Sequence, residues 1–504
     1  MADTSKATGG VSYTSVDQSY FEKRGLRRSA GVWGLWGLAV AAVISGDFSG
    51  WNFGIDFAGF GGMVIAFVVL VVMYYGLTFS ISEMSAAMPH TGGAYSFARS
   101  AMGPWGGLVT GAAETIEYVA TTAVVVFFSA QYIDFVTSGL LGFSLAEQNL
   151  MWIWWIVLYV AFVSLNAAGA HISFRFAIVV SIIAIAIILV FAVMALASGA
   201  FSFDKLWDIA PNPEVAGSSA FLPEGWLAVL FALPFAMWFF LGIEELPLAA
   251  EEAHAPERDI PRAAVLARGT LIITGVLVLV LNTGVLGAEA TGVSLEPLVE
   301  GFAAIVGNEL AAVFAIFALI GLLASLHGIM FAYGRNMYSL SRAGYYPKFL
   351  SLTGKNKTPW VALAVGGAIG FVAIVVLDLL ARLDPEGAGL VAGAIILNIA
   401  VWGAVVAYFL QMVAFILLRR KFPDVNRPYK SPMGLFGAYS AAAIAALVFV
   451  GLLINPAFQA AIIAIIVVYV LMLIGFGLHY RKHLVLSPEE EYAMSGGTHE
   501  MTKD

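Results

Sequence analysis

Ile44–Gly54 reads ISGDFSGWNFG and lies inside an otherwise apolar run that begins at Gly31. A helix that crosses a bilayer is normally an unbroken series of Leu, Val, Ile and Ala. This stretch instead carries Gly46, Gly50 and Gly54, the hydroxyls of Ser45 and Ser49, the amide of Asn52, and a carboxylate, Asp47. Glycine costs about 1 kcal/mol relative to alanine in a helix interior. A carboxylate at mid-depth costs at least ~2.5 kcal/mol even on insertion scales. Such backbone is tolerated in hydrocarbon only where protein packs around it or where it lines a wet cavity. The stretch therefore reads as a broken helix whose freed backbone groups face a small site.

The rest of the chain supplies the membrane setting. It has 504 residues, 60% of them apolar and only 12% charged, with a mean hydropathy of +0.88. Apolar runs long enough to cross a bilayer recur along its length, so the fold class is all-α and polytopic. Twelve spans are expected, near 31–55, 61–88, 105–136, 150–166, 172–198, 225–253, 263–287, 307–342, 360–381, 387–418, 433–454 and 457–480. There is no cysteine, which excludes disulfides, thiol catalysis and Cys-based metal sites. No basic footprint for nucleic acid is present, and no nucleotide-binding motif or cofactor signature. The first thirty residues have no apolar core with a small-residue cleavage site, so the first span is expected to serve as its own insertion signal.

Of the 25 lysines and arginines, only Lys205 and Arg382 fall on the face opposite the N-terminus. That asymmetry places both termini in the cytoplasm of a multi-pass inner-membrane protein. The loop at 285–310 on the other face is acidic (Glu289, Glu296, Glu300, Glu309) and long enough for a short amphipathic helix.

A second broken span lies at 225–253, where Pro234, Gly242 and Pro247 interrupt the run and Glu244 and Glu245 replace apolar residues. Interruptions in the first and sixth spans, five spans apart, point to two inverted repeats with a site where the broken helices meet. The expected organisation is a tail at 1–30, a first repeat at 31–198, a second at 225–418, two further spans at 433–480 and a tail at 481–504 that carries Glu489, Glu490 and Glu491.

At these residues the chain resembles the amino acid–polyamine–organocation superfamily, whose fold is the LeuT-like five-plus-five inverted repeat. Ser45-Gly46-Asp47-Phe48-Ser49-Gly50 resembles its glycine-rich first-helix break. Glu83, Pro89, Gly92, Gly93 and Tyr95 match its pattern at the end of the second span. Gly242-Ile243-Glu244, followed by Glu252, Pro256, Arg258, Ile260, Pro261 and Arg262, resembles its sixth-span pattern, and Arg335, Pro347, Thr358 and Pro359 its loop after span eight. Within the superfamily the chain is most similar to bacterial ethanolamine permeases, on ISGDFSGWNFG, on AAETIEYVATTA in span three and on FFLGIEELPLAAEEAHAPERDIPRA. The resemblance implies a secondary transporter rather than an enzyme. Many proton-coupled members carry a lysine in span five, where alignment on Asn166, Gly169 and Ser173 places Ala184. Any coupling must then use a proton on carboxylates or His327, or a sodium ion near Ser325, or nothing.

The residues themselves suggest a cation site. Amides freed at the first break suit an anion, but Asp47 is already there. It either contacts a cationic substrate or caps the freed N–H groups of its own helix, and each reading disfavours a carboxylate ligand. Ser45, Phe48 and Ser49 belong to the same break. Glu114 and Glu117 are three apart and share a helix face. Counted from Trp105 they lie ~14 and ~18 Å deep, near the middle of a ~30 Å core. They hold substrate or bond to a neighbouring helix. Glu117-Tyr118 also resembles the pair in this span of cationic amino-acid carriers. The match to arginine/agmatine antiporters carries Trp238 onto an aromatic gate, with core packing as the alternative. Phe239 and Phe240 are expected beside it, and Glu244 is read as pairing freed amides at the second break. Glu114, His327 and Ser325 are the coupling candidates. The substrate this predicts is a small organic cation, ethanolamine first, with an amino acid or polyamine as the rival.

Overall fold

The computed structural model describes residues 11–13, 29–88, 92–383 and 392–485. The basic cluster of Lys23, Arg24, Arg27 and Arg28, Pro89 of the second-span motif, and the acidic tail of Glu489, Glu490 and Glu491 lie outside the described residues. Every named element among the described residues is helical. Nine of these helices are long and apolar enough to cross a bilayer. Three shorter apolar helices, Val32–Asp47, Trp152–Ala167 and Gly225–Met237, supply spans one, four and six. Two of those three are short because their spans are interrupted where the sequence expected it.

Span one runs as Val32–Val43, tightens into a narrower turn at Ile44–Asp47, and resumes in a helix that begins at Phe53. That helix, Phe53–Ala87, bends at Gly59 and so contains the end of span one and the whole of span two. Gly93–Leu141 likewise bends at Gly103, just before Pro104, so a short, largely buried helix precedes span three. Span six is Gly225–Met237, then irregular backbone, then the narrow helix Ile243–Glu252. Spans five, seven, eight and ten are Ala170–Ala197, Pro256–Leu286, Asn308–Arg342 and Ala392–Lys421. Span seven starts seven residues before the expected 263, because Pro256 suits a first helical turn and Glu257 and Asp259 oppose the helix dipole there. The 285–310 loop holds two short helices, Ala288–Val293 and Pro297–Val306, rather than one.

Span three packs along spans eight and ten, and the first half of span one lies against spans five, seven and eight. The fold is all-helical, with spans one and six broken. Exposed rows at helical spacing face outward: Val179, Ile182, Leu189 and Val193 on span five, and Ile463, Val467, Leu471 and Ile474 on span twelve. Such rows mark a surface made for lipid. On the N-terminal side the motif residue Glu83 receives both Arg419 and the Ser431 amide, which fixes the loop after span ten.

Candidate substrate site

The two breaks meet at backbone contact. A Cβ on Gly46 would stand 2.2 Å from the Trp238 carbonyl oxygen and 3.1 Å from the Phe239 Cα, so only glycine lets the unwound segments approach. Gly242 opens the second half of span six with φ +110°, a conformation that L side chains rarely adopt. The backbone groups freed at the first break find partners on neighbouring spans. The Ser45 amide donates to the Ser325 hydroxyl (2.8 Å), which donates to the Ala41 carbonyl (2.6 Å). Tyr132 of span three donates to the Phe48 carbonyl (2.8 Å), and the Trp238 indole N–H donates to the Ser49 carbonyl (3.0 Å). Buried backbone groups require such partners. Gly46→Ala is therefore expected to lower stability by about 1–3 kcal/mol, the range for overpacking a tight core. Thermal unfolding of the purified protein checks this, and an unchanged melting temperature would mean that the two segments do not meet as described.

Below this junction the polar side chains are mostly acidic. Tyr408 of span ten donates to Glu244, and its oxygen also lies 3.2 Å from Glu117 Oε1. Tyr408 thus bridges the Glu117 and Glu244 carboxyls. The Gly242 amide donates to Glu244 Oε2 at 3.1 Å, as the sequence reading of Glu244 expects. Glu114 takes the Asn336 amide (3.2 Å) and the Tyr118 hydroxyl (3.4 Å). Asp47 is fully buried, and among the described residues neither of its carboxylate oxygens has a hydrogen-bond partner. The Thr274 hydroxyl of span seven, which lies beside it, donates to the Thr270 carbonyl. Asp47 thus does not cap its own helix, and that alternative falls away. Glu245 is also buried with both oxygens unpartnered. The guanidinium that reaches this region, Arg335, is bound to Glu252 by two bonds of 3.0–3.1 Å, and its Nη1 has no hydrogen-bond partner among the described residues.

Other expected site residues take packing roles. Phe239 meets Phe67 edge to face and Phe240 packs at a tilt on Phe67 and Tyr74, so they seat span six on span two. Phe48 packs against Gly321 next to Ala184, the position of the family's lysine. His327 contacts Asn166 and the Phe176 ring, between spans four, five and eight. Ser325 bridges backbone groups, as described above. Tyr408, Asn336 and Tyr132 were not singled out by the sequence, since each sits in an ordinary apolar or mixed helix. The lid opposite the N-terminal side closes on Asn52, which donates to the Thr291 and Ser294 carbonyls, and on Ser49, whose hydroxyl donates to the Leu295 carbonyl. In that lid burial pushes the Glu296 carboxyl up to about 7, with Glu300 and Asp134 adding repulsion.

Comparison with known proteins adds the family. The family described as "Amino acid permease" matches residues 34–486. The branched-chain amino acid permease BcaP of Bacillus subtilis is 27% identical over 81% of this chain and 85% of its own length. An uncharacterized transporter of Rhizobium meliloti is 26% identical over 65% of this chain and 68% of its own. Among solved structures, Mhp1, a nucleobase–cation symport family transporter in a closed conformation with bromovinylhydantoin bound, aligns with a TM-score of 0.49 at 14% identity, covering 95% of this chain and 99% of that one. The match along nearly the whole chain makes this protein a multi-pass secondary transporter that belongs to the amino acid permease family of the amino acid–polyamine–organocation superfamily.

Proposed function

We propose that this transporter imports a small organic cation, ethanolamine, across the cytoplasmic membrane by alternating access, with both termini in the cytoplasm. One observation carries the reading. The buried polar groups around the two breaks include Asp47, Glu114, Glu117, Glu244 and Glu245, and the arginine in reach is already held by Glu252. A primary ammonium offers three donors and a positive charge to such a lining. The carboxylate of an amino acid would meet like charge there. The rival substrate, a zwitterionic amino acid, is favoured by the names of relatives such as the branched-chain amino acid permease. Ligand-induced stabilisation separates the two. A ligand that binds only the native state adds about 2.7 kcal/mol at a hundred times its Kd. Ethanolamine is expected to raise the melting temperature by several degrees, while alanine, glycine and the branched-chain amino acids leave it unchanged. A shift with amino acids and none with ethanolamine would replace this reading with the rival.

A further inference from the structure

The bridge between Glu117, Tyr408 and Glu244 contains too few hydrogens unless one carboxyl is protonated. The Tyr408 oxygen lies within hydrogen-bonding distance of both carboxylates, but a phenol has a single hydrogen to give. If it donates to Glu244, the contact with Glu117 needs a hydrogen from Glu117. If it donates to Glu117, the contact with Glu244 needs one from Glu244. Glu117 Oε2 and Glu244 Oε1 have no other partner among the described residues, although both side chains are buried.

Among the described residues, no lysine or arginine bonds to either carboxyl of the pair. Span three adds Glu114 and Tyr118, span two Tyr74, and span six Glu245. Arg335 of span eight faces Glu245 but is bound to Glu252. An unpaired carboxylate pair in this buried setting is strongly disfavoured.

We propose that the Glu117–Tyr408–Glu244 bridge holds one exchangeable proton in place of the substrate's ammonium, and that the carrier exchanges one proton for each organic cation. This rests on the cation reading above. On the outer side, the carboxylic acid releases its proton to water as R–NH3+ binds, leaving carboxylate paired with ammonium. On the inner side, the ammonium leaves and the carboxylate takes a proton from the cytoplasm. Charge balances in each half-cycle, so the exchange is electroneutral. The carrier then returns with the proton rather than with a bare buried anion. Tyr408 is a positioning residue that couples the two carboxyls, and it comes from a span that the sequence left out of the site.

The test is proton release on binding, measured in weakly buffered detergent solution alongside calorimetry with ethanolamine. Close to one proton per bound ethanolamine is expected, with apparent affinity rising about tenfold per pH unit while the bridge is protonated in the free carrier. In proteoliposomes, an acid interior should drive accumulation and an imposed membrane potential should not. Tyr408→Phe should shift this pH profile, because it uncouples the two carboxyls, which loss of packing alone would not do. Ethanolamine binding without proton release at any neutral pH, or accumulation that follows the potential, would overturn the exchange while leaving the cation reading intact. No ethanolamine binding at all would instead remove the cation reading, and the exchange with it.

Discussion

Glu117→Gln is expected to weaken ethanolamine binding by about thirtyfold or more while the protein still folds. The substitution keeps the shape of the side chain and deletes its charge. Glu117 sits on span three at its closest approach to span ten, where a Cβ on Gly403 would stand 2.7 Å from the Glu117 amide nitrogen, so its backbone is rigidly placed. An ammonium held there is desolvated, and removing one partner of a buried charge pair costs roughly 2–5 kcal/mol. Folding should not suffer, because the amide can still donate to or accept from Tyr408, replacing the proton that the carboxyl must otherwise supply. Calorimetric titration of ethanolamine, with a melting curve on the same sample, checks both parts. Glu114→Gln is the matched control: Glu114 is already served by Asn336 and Tyr118, so its charge is less exposed to a ligand and its loss should cost less. Unchanged affinity in Glu117→Gln would move the ammonium site to Asp47, whose oxygens have no other partner among the described residues.

The breaks were legible in the sequence because their cost is local. Glycines, prolines and carboxylates inside an apolar run are expensive wherever the helix goes, so ISGDFSGWNFG and the 242–247 stretch declare themselves without knowledge of their neighbours. The Gly242–Glu244 bond was legible for the same reason, since the two residues are two apart. Pairings between spans were not. Glu114 and Glu117 share a helix face, but the structure links Glu117 to Glu244 through Tyr408 and leaves Glu114 to Asn336. Tyr408 lies in AVVAYFLQ, where a tyrosine reads as ordinary packing, and only the approach of spans three and ten brings it to the carboxylates. His327 was legible only as a polar residue inside an apolar span. A histidine in an apolar span invites a proton role, and the contacts it makes with Asn166 and Phe176, on spans four and five, could not be read from its own span.

The N-terminal side of the carrier is closed by a staple whose disruption is expected to have the second large effect. The Glu252 carbonyl accepts the Ser29 and Ala30 amides (2.8 and 3.0 Å), and the His254 amide donates to the Ala30 carbonyl (2.8 Å). These bonds tie the start of span one to the end of span six. The Glu252 side chain is in turn gripped by Arg335 of span eight, with both side chains fully buried. The Phe331 ring lies 3.6 Å below the guanidinium. Arg335→Met leaves Glu252 as an uncompensated buried charge, so a loss of about 3–5 kcal/mol is expected. Replacing both residues, Arg335→Met with Glu252→Gln, removes the stranded charge and should restore much of the melting temperature. The double variant should nevertheless loosen the staple, because nothing then anchors the Glu252 peptide to span eight. The chain contains no cysteine, so Ser29→Cys provides a single reporter at this point. Maleimide labelling of that cysteine should be slow in the otherwise unaltered protein and faster in the double variant at matched stability. If labelling is equally slow in both, the ion pair stabilises the fold without holding the gate. If the double variant is as unstable as Arg335→Met alone, the pair contributes more than its charges, through the packing of the guanidinium on Phe331.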